Sequence, residues 1–360
     1  MDTAAGPGLI DTATEITPAW LGAALAPSLG AIEVAGIEVA SVGTGQMGDS
    51  VRVAVRYAPG DDGPASVVVK LPAADATSRT TALVLRSYEK EVRFYQHLAP
   101  ELAVTTPRAY HADIDPATAR FVLVMEDLAP ARVGDQLAGC PVDEAVAALD
   151  ELVGLHAPRW DDPSLREHDW LALDDDGRRA FTLGILPGLW QGFTERYAAV
   201  LDPDVLTAGG ALFGSLESFL DAPRGRATVV HGDYRLDNLL FAADGPTVRG
   251  VVDWQTCTLG SALDDVAYFV GAGLLPEVRR EHEDALVRRY HERLVAQPGV
   301  DLSWDDCWLA YRRGTWAGLI MAVGASMLVE RTDRGDAMFM AMASRHSRHA
   351  LDLDAPALLG

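Results

Sequence analysis

The chain has little lysine, little cysteine and no long apolar run. Only two of its 30 basic residues, Lys70 and Lys90, are lysines, and its 52 acidic residues give a formal net charge of −22. Nucleic-acid backbones require a basic surface, so this balance argues against a nucleic-acid partner. The acidity is typical of a solubilising surface, with the attraction of a cationic substrate as the alternative.

The three cysteines, Cys140, Cys257 and Cys307, lie far apart, which favours neither a disulfide framework nor a zinc site. The longest apolar stretch, Trp316 to Val329, contains two glycines and is shorter than the ~20 residues that a membrane-spanning helix needs. The first residues lack the basic and apolar segments of a signal peptide. These absences predict a cytoplasmic protein without membrane contact, and no pattern indicates a protein partner.

The two parts of the chain differ in their hydrophobic periodicity. Within residues 1–127, period-two alternation and short apolar runs predict strands at Val51–Tyr57, Ser66–Leu71 and Phe121–Asp127, and helical spacing predicts a helix over Thr81–Leu98. Within residues 128–360 the pattern is mainly helical. We therefore predict an α+β fold of the two-lobed, protein-kinase-like type, with a small β-rich N-terminal lobe and a larger helical C-terminal lobe. A ligand cleft is expected between the lobes.

The predicted helices of the second part are separated by one β-rich insert over Thr228–Trp254. Those helices cover Val142–His156, Arg178–Val200, Ala211–Leu220, Pro276–Val295 and the residues from Trp304 onward.

A glycine-rich segment, Gly43-x-Gly45-x-x-Gly48, precedes the first of the predicted strands. A dinucleotide-binding fold needs such glycines between a strand and a helix, whereas a strand follows them here. The context therefore favours a hairpin that covers nucleotide phosphates and disfavours a dehydrogenase. The alternative is a loop that uses glycine only for its own turn.

Lys70 follows a run of three valines on the next predicted strand. Kinases have a lysine at the same place, and it binds the α- and β-phosphates of the nucleotide. A carboxylate on the following helix is needed to pair its ammonium group, since an unpaired buried charge is costly. Glu91 is preferred for this role because it lies one helical turn before Phe94 and Tyr95, and Glu89 is the competing choice.

The segment after Val230 contains two polar residues with the Asp-x-x-x-x-Asn spacing of a kinase catalytic loop, Asp233 and Asn238. If residues 238–243 and 248–253 form a hairpin, Asn238 and Asp253 are equidistant from its turn. Directly opposed residues have Cβ atoms ~5 Å apart, close enough to share one Mg²⁺. Asp233 would then remain free to meet a hydroxyl group.

With these residues, the chain resembles the aminoglycoside phosphotransferase and choline-kinase-like superfamily over roughly residues 35 to 350, and within it the ecdysteroid-kinase-like subgroup. The resemblance rests on His231-Gly232-Asp233-Tyr234-Arg235-Leu236-Asp237-Asn238, Val252-Asp253-Trp254, Asp265-Val266-Ala267, Leu155-His156-Ala157 and Glu91-x-x-Phe94-Tyr95.

The resemblance implies ATP, with GTP as an alternative, and Mg²⁺ as cofactors. It implies Asp233 as the catalytic base, Asn238 and Asp253 as Mg²⁺ ligands, and Lys70 with Glu91 as the pair that positions the phosphates. It also implies that Gly43, Gly45 and Gly48 cover the phosphates and that the backbone from Glu126 to Leu128 binds the adenine.

Three further residues of the motifs are interpreted as supporting the site or the core. His231 either orients the catalytic loop or is purely structural. Asp265 is interpreted as a helix-start cap or a loop anchor, and His156 as a core histidine.

Protein kinases have Phe-Gly after the corresponding aspartate, whereas Trp254-Gln255 follows Asp253 in this chain. A helix is predicted to begin by Leu263. This interval has no room for an activation segment that supports a peptide. We therefore expect a small hydroxylated acceptor, such as an antibiotic, nucleoside, sugar or other natural product, with antibiotic resistance as one role. The alternative is a catalytically idle, nucleotide-binding regulatory protein. Trp190, Trp304, Trp308 and Trp316 are candidates for the acceptor pocket, although most are expected in the core.

Overall fold

The computed structural model describes residues 6–42, 48–171, 175–223 and 225–359. The chain divides into two compact units. The first, here called the sheet unit, comprises Met1–Pro100, Thr106–Ala129 and Asp253–Gln255. The second, here called the helical unit, comprises Glu101–Thr105, Pro130–Val252 and Thr256–Gly360. No described helix has both the length and the apolar character needed to cross a membrane.

The sheet unit is built on a five-stranded antiparallel sheet with the strand order β1-β2-β3-β5-β4. One face packs on α1, whose first turn is capped by Thr17 through a hydrogen bond from the Trp20 amide and carries Pro18. The alternating valines of β2 and β3 point into the core, as do those of β5. The strands are β1 (Val34–Ser41), β2 (Gly48–Tyr57), β3 (Ser66–Pro72), β4 (Ala109–Asp115) and β5 (Arg120–Glu126), and the first helix is α1 (Pro18–Leu29).

The single helix predicted over Thr81–Leu98 is wrong, because the segment is broken at Arg86. The structure has α2 (Ala76–Leu85), α3 (Ser87–Arg93) and then a π-helical turn. Arg86 has a φ of 56° and so adopts the left-handed conformation that ends a helix. Neither glycine nor proline marks this break, and the helical spacing of apolar residues continues across it.

The helical unit contains eight helices in its described part and five short strands. Of the predicted helices, Val142–His156 and Pro276–Val295 have the same bounds in the structure. The strands are β6 (Arg132–Val133), β7 (Thr228–Val230), β8 (Leu239–Phe241), β9 (Val248–Val251) and β10 (Thr258–Gly260). The helices are α4 (Val142–His156), α5 (Asp175–Arg196), α6 (Pro203–Gly214), α7 (Leu216–Asp221), α8 (Ala262–Gly273), α9 (Pro276–Val295), α10 (Trp304–Leu328) and α11 (Asp333–Asp352).

Two helix predictions in this unit need correction. The helix predicted over Ala211–Leu220 is two helices, α6 and α7, with Ser215 between them in a non-helical conformation. The continuous helix predicted from Trp304 onward is interrupted between α10 and α11, where Thr332 caps α11 through a hydrogen bond from the Gly335 amide. At Ser215 the apolar pattern runs on across the break, whereas the break before α11 falls within the polar run of residues 330–336, where Thr332 provides the cap.

The helices of this unit pack closely where glycine replaces a larger residue. The ring of His346 on α11 lies against Gly271 of α8 and Gly318 of α10, where a Cβ atom would clash with it. The neighbouring Arg345 donates hydrogen bonds to the carbonyl groups of Gln136, Leu137 and Ala272. This one side chain therefore joins α11 to the segment after β6 and to the end of α8.

Candidate active site

Lys70, near the end of β3, is held between two carboxylates of the sheet unit. Its Nζ lies 2.8 Å and 2.7 Å from the two carboxylate oxygens of Glu91 and 2.8 Å from Oδ1 of Asp253. Glu89, the competing choice, instead pairs with Arg86. Of the two acidic residues on α3, Glu91 is therefore the one that holds the lysine, as the sequence predicted.

Burial and charge act in opposite directions on this cluster. Burial alone would lower the pKa of Lys70, but the carboxylates of Asp253 and Glu91 outweigh it and raise that pKa above its usual value. Burial raises the pKa of Glu91, and the neighbouring ammonium group opposes this rise. Lys70 therefore presents an ammonium group with a fixed direction, held by the carboxylates of Glu91 and Asp253, which suits the binding of phosphate oxygens.

Asp253 is positioned by its own backbone and by the tryptophan that follows it. It has a φ of 68°, an uncommon conformation for a residue other than glycine. The buried ring of Trp254 stacks on Phe94, with 3.7 Å between the ring centroids and 8° between the planes. Gln255 donates to the second carboxylate oxygen of Asp253 at 3.0 Å. The Asp-Trp motif thus fixes the carboxylate by packing the tryptophan against the turn that follows α3.

Gly48, the last glycine of the predicted phosphate loop, begins β2 beside Lys70. A Cβ atom at this position would lie 3.1 Å from the Leu71 carbonyl oxygen and 3.8 Å from Cε of Lys70. Glycine therefore lets β2 approach the lysine closely. Gly43 and Gly45 lie outside the described residues.

Asp233, in the helical unit, follows β7 and accepts hydrogen bonds on both carboxylate oxygens. The hydroxyl group of Tyr268 donates to Oδ1 at 2.5 Å, and the side-chain amide of Asn238 donates to Oδ2 at 3.1 Å. Nε of Arg235 also lies 3.1 Å from Oδ2. Burial, and then the Asp233 carboxylate, raise the pKa of Tyr268 well above its usual value, so this phenol remains a donor.

The backbone before Asp233 is anchored by Asp265, in the first turn of α8. Its two carboxylate oxygens accept hydrogen bonds from the amides of His231, at 2.6 Å, and Gly232, at 2.9 Å. Gly232 has a φ of 80°, and a Cβ atom there would lie 2.7 Å from the Thr256 carbonyl oxygen. Asp265 is thus a loop anchor, one of its two predicted interpretations, while Ser261 occupies the cap position.

The ring of His231 connects the loop to the end of the β8–β9 hairpin. Nδ1 accepts a hydrogen bond from the Asp233 amide at 3.2 Å, so the proton lies on Nε2, which donates to the Val252 carbonyl oxygen at 3.0 Å. This geometry orients the backbone at Asp233. His156 is fully buried between Tyr290 and Asp265, in agreement with a core histidine.

The predicted hairpin between residues 238–243 and 248–253 exists, but its predicted register is wrong by one residue. Leu239 pairs with Val251, and the Val252 amide donates to the Asn238 carbonyl oxygen at 3.0 Å, so Asn238 is not opposed to Asp253. Asn238 ends a 3₁₀ turn rather than lying in the strand, and a bulge near Phe241 shifts the pairing. The sharing of a metal ion by Asn238 and Asp253 stays a prediction.

The segment predicted to bind adenine lies at the end of β5. Glu126 accepts a hydrogen bond from the Arg108 amide, and Leu128 is half-buried. Between them, the carboxylate of Asp127 accepts from Arg52 and from Ser66, each at 2.6 Å. This network fixes the backbone of the segment, and its role in nucleotide binding stays a prediction.

The four tryptophans proposed for the acceptor pocket occupy different places. Trp190 stacks on Phe213, while Trp304 and Trp308 stack on each other. Trp316 is 1% exposed and belongs to the apolar core, where it also borders a cavity.

Asp233 and the three side chains that contact its carboxylate, Tyr268, Asn238 and Arg235, form what is here called the Asp233 cluster. The sequence analysis missed two of these residues, Tyr268 and Arg235. Tyr268 lies three residues after Asp265 and so on the same face of α8, a spacing that could have indicated it. Arg235 lies within the predicted loop, two residues after Asp233, and its charge was the available signal.

Two features of the chain are typical of a kinase-like phosphotransferase. One is the lysine fixed between carboxylates on an antiparallel sheet, and the other is the aspartate oriented in a His-Gly-Asp loop of a helical unit. A family model described as "Phosphotransferase enzyme family" (APH) matches residues 53–305. The chain belongs to this family.

Similarity to individual proteins is more limited. A segment of 75 residues is 51% identical to acyl-CoA dehydrogenase family member 10 of Mus musculus and covers 21% of this chain but 6% of that protein. The aminoglycoside phosphotransferase APH(2'')-Ib in its ADP-bound form is 16% identical, with 88% of this chain and 94% of that chain covered and a TM-score of 0.47. The macrolide 2'-phosphotransferase MphH of Brachybacterium faecium is also 16% identical, with coverages of 88% and 95% and a TM-score of 0.44.

Proposed function

We propose that the chain is an ATP-dependent O-phosphotransferase, with GTP as an alternative donor, that transfers the γ-phosphate to a hydroxyl group of a small molecule. The observation that supports this most directly is the Asp233 cluster. A carboxylate that accepts from Tyr268 and Asn238 and pairs with Arg235 has a fixed orientation before any substrate binds. The family supplies the reaction class, phosphoryl transfer.

In this proposal, Lys70 binds the phosphates in a direction set by Glu91, and Asp253 and Asn238 bind Mg²⁺. The donor set fits this ion, because Mg²⁺ prefers carboxylate and carbonyl oxygens and takes its remaining ligands from phosphates and water. Asn238 directs its NH₂ group to Asp233, so its amide oxygen is the atom available to a cation. No three His, Cys, Asp or Glu residues within the described ranges form a complete metal cage. Bound Mg²⁺ would offset the negative charge of the phosphates.

Asp233 orients the acceptor and takes its proton. The acceptor hydroxyl donates a hydrogen bond to the Asp233 carboxylate, which receives the proton as the new O–P bond forms and the bond between the γ-phosphorus and the β–γ bridging oxygen breaks. The products are the phosphorylated acceptor and the nucleoside diphosphate. Tyr268 and Arg235 act through Asp233 and are positioning residues.

A small acceptor is supported by the short interval between Asp253 and α8. Residues 254–261 form a 3₁₀ turn and the strand β10, and α8 begins at Ala262. β10 pairs with β7 along its length. This interval therefore contains no free segment on which a peptide could lie.

The proposal is tested by γ-phosphate transfer from labelled ATP to a panel of hydroxylated antibiotics, nucleosides, sugars and other natural products, with and without Mg²⁺. We expect a labelled product that depends on both the acceptor and Mg²⁺. Calorimetric titration with Mg-ATP is the parallel measurement. Nucleotide binding without transfer to any acceptor would favour the catalytically idle regulatory protein. The absence of nucleotide binding would contradict both that hypothesis and the phosphotransferase.

A further inference from the structure

Asp265, which anchors the loop before Asp233, is itself held by a line of hydrogen bonds that begins on α9. The hydroxyl group of Tyr290 on α9 lies 2.7 Å from Nδ1 of His156, the last residue of α4. Nε2 of the same ring lies 3.3 Å from Oδ2 of Asp265 on α8. Three helices therefore contribute one side chain each to this line, here called the Tyr-His-Asp relay.

The relay is buried along its whole length. Tyr290 and His156 are fully buried and Asp265 is 1% exposed. Buried polar atoms are costly unless they are paired, and the Asp265 carboxylate meets this condition with the amides of His231 and Gly232 and with the ring of His156. The oxygen that faces the ring, Oδ2, is the one that accepts from the His231 amide. The ring therefore bears directly on the oxygen that holds the loop.

The direction of each hydrogen bond in the relay follows from the donor and acceptor chemistry. A carboxylate oxygen only accepts, so the ring nitrogen that faces Asp265, Nε2, carries the proton. Nδ1 of the neutral ring then accepts, and Tyr290 donates to it. Burial, then the neighbouring Cys307 and Asp265, raise the pKa of Tyr290 well above its usual value, so the phenol keeps its proton. In the other tautomer of His156, the Nε2 lone pair would face the carboxylate.

The backbone of His156 is tied to the strand that leads into the loop. Thr228, at the start of β7, donates from its hydroxyl group to the His156 carbonyl oxygen at 2.8 Å. Three residues later, the His231 amide is held by the carboxylate that the His156 ring faces. The ring is therefore placed relative to β7 and the loop, and not only relative to its own helix.

We propose that Tyr290 and His156 are positioning residues of the phosphotransfer, which act on Asp233 through Asp265. Tyr290 selects the tautomer of His156 that donates to Asp265, and Asp265 in turn holds the two backbone amides before Asp233. The effect on turnover rests on the proposed function. The effect of the relay on the loop does not, so the two can be measured separately.

The loop is tested without any substrate, by amide hydrogen exchange. Tyr290→Phe keeps the buried ring and removes the hydroxyl group that donates to His156. The amides of His231 and Gly232 should then exchange about fivefold faster, the effect of one lost hydrogen bond. Tyr311→Phe is the matched control, because Tyr311 is equally buried and its hydroxyl group donates to a different carboxylate. It should leave these two exchange rates unchanged.

The same variants are compared in phosphotransfer, with an acceptor that the parent phosphorylates. Tyr290→Phe should lower kcat by about fivefold and leave the KM for ATP unchanged, whereas Tyr311→Phe should change neither. His156→Gln keeps a donor for Asp265 and an acceptor for Tyr290 in one amide group, so its kcat should stay within about twofold of the parent. His156→Leu has neither group, and its kcat should fall at least as far as that of Tyr290→Phe.

The outcomes separate the relay from the proposed function. The relay is overturned if Tyr290→Phe leaves both exchange rates as in the parent, if its kcat falls no more than that of Tyr311→Phe, or if His156→Leu turns over as fast as His156→Gln. Should His156→Leu fail to fold, Tyr290→Phe decides. A parent that phosphorylates no acceptor would contradict the proposed function and the predicted effect on kcat, while the exchange rates would still decide whether the relay holds the loop.

Discussion

Asp233 differs from a surface carboxylate in that each of its oxygens already has a protein partner. Tyr268, Asn238 and Arg235 fix its direction, while the loop behind it is fixed by His231 and Asp265. An aspartate held in this way does not need to reorganise when an acceptor arrives, which is the usual source of rate enhancement by positioning.

The first residue-scale prediction concerns Asp233 itself. Asp233→Asn keeps the size of the side chain but removes the base, so kcat should fall at least ~100-fold, while the Kd for Mg-ATP stays close to that of the parent. Steady-state kinetics and calorimetry measure the two quantities. Asp244→Asn, in the turn between β8 and β9, is the matched control. Near-normal turnover by Asp233→Asn would exclude its role as the base.

The second prediction separates positioning from packing at Tyr268. Tyr268→Phe keeps the buried ring but removes the hydroxyl group that donates to Asp233. A hydrogen bond to a charged group contributes about 1.5–3 kcal/mol, so kcat should fall by about tenfold or more. The KM for ATP should stay unchanged.

A purely structural role of the Tyr268 hydroxyl would lower the melting temperature and leave kcat intact. Tyr197→Phe is the control, because it removes a hydroxyl group that donates to Asp336, a residue outside the Asp233 cluster. It should not change kcat.

At this scale, the sequence predicted residues whose chemistry is rare at their position. A single lysine after three valines and an aspartate followed at fixed spacing by asparagine have few structural explanations. Tyr268 was missed because a tyrosine on a buried, apolar helix looks like any core aromatic residue. Its role depends on the approach of α8 to the loop after β7, which is a tertiary contact.

The anchoring of the loop by α8 gives a prediction at the scale of elements. Asp265→Ala leaves the amides of His231 and Gly232 without an acceptor and should reduce the free energy of unfolding by about 2–4 kcal/mol. Urea denaturation measures the loss, and kcat should fall with it because the loop is released. Asp333→Ala, at an exposed position in the first turn of α11, tests the helix-dipole contribution alone. Equal losses for the two variants would refute the anchoring role.

Elements with an uninterrupted pattern and a clear end were predictable, and breaks inside an apolar pattern that continues were not. Pro276 begins α9 and the apolar spacing continues to Val295, so both bounds could be predicted. Arg86 and Ser215 break helices through backbone conformations that the apolar pattern does not show. The register of the β8–β9 hairpin was wrong because the turn is not centred where the counting placed it. Phe241 pairs with Val248 and not with Gly250, an offset of two residues that the bulge between Leu240 and Phe241 reduces to one.

For the whole molecule, buried histidines predict a loss of stability in acid. Burial, then the neighbouring charges of His349, Arg345 and Arg279, lower the pKa of His346 well below its usual value of 6.5. The unfolded chain therefore binds a proton below about pH 6.5 that the folded chain does not bind. The contribution of this residue to stability is complete above that pH and is lost as the pH falls, by up to about 1.4 kcal/mol per pH unit.

The variant His346→Leu removes this residue's contribution to the difference in bound protons between the unfolded and the folded chain. Between about pH 6.5 and pH 4.5, its free energy of unfolding should fall less steeply than that of the parent, by about one proton in slope. His282→Leu, at a position with a side chain 37% exposed, should keep the slope of the parent. Parallel curves for His346→Leu and the parent would show that the histidine is not held neutral. His349 and Glu283 remain in both proteins, so their contribution cancels.

The division into a sheet-rich and a helical part could be predicted because the periodicity of the chain changes near residue 128. The assignment of short chain segments to the unit that their sequence neighbours do not belong to could not be predicted. Asp253–Gln255 groups with the sheet unit although it follows a hairpin of the helical unit, since Lys70 and Phe94 contact it across more than 150 residues of sequence. Contacts of such long range leave no local signal.

The hydrogen bonds of Arg345 have a consequence for the order in which contacts can form during synthesis on the ribosome. Three carbonyl groups made early in synthesis, at residues 136, 137 and 272, find this hydrogen-bonding partner only when residue 345 has left the exit tunnel. The contacts that join α11 to the segment after β6 and to the end of α8 are therefore among the last of the helical unit that can form during synthesis.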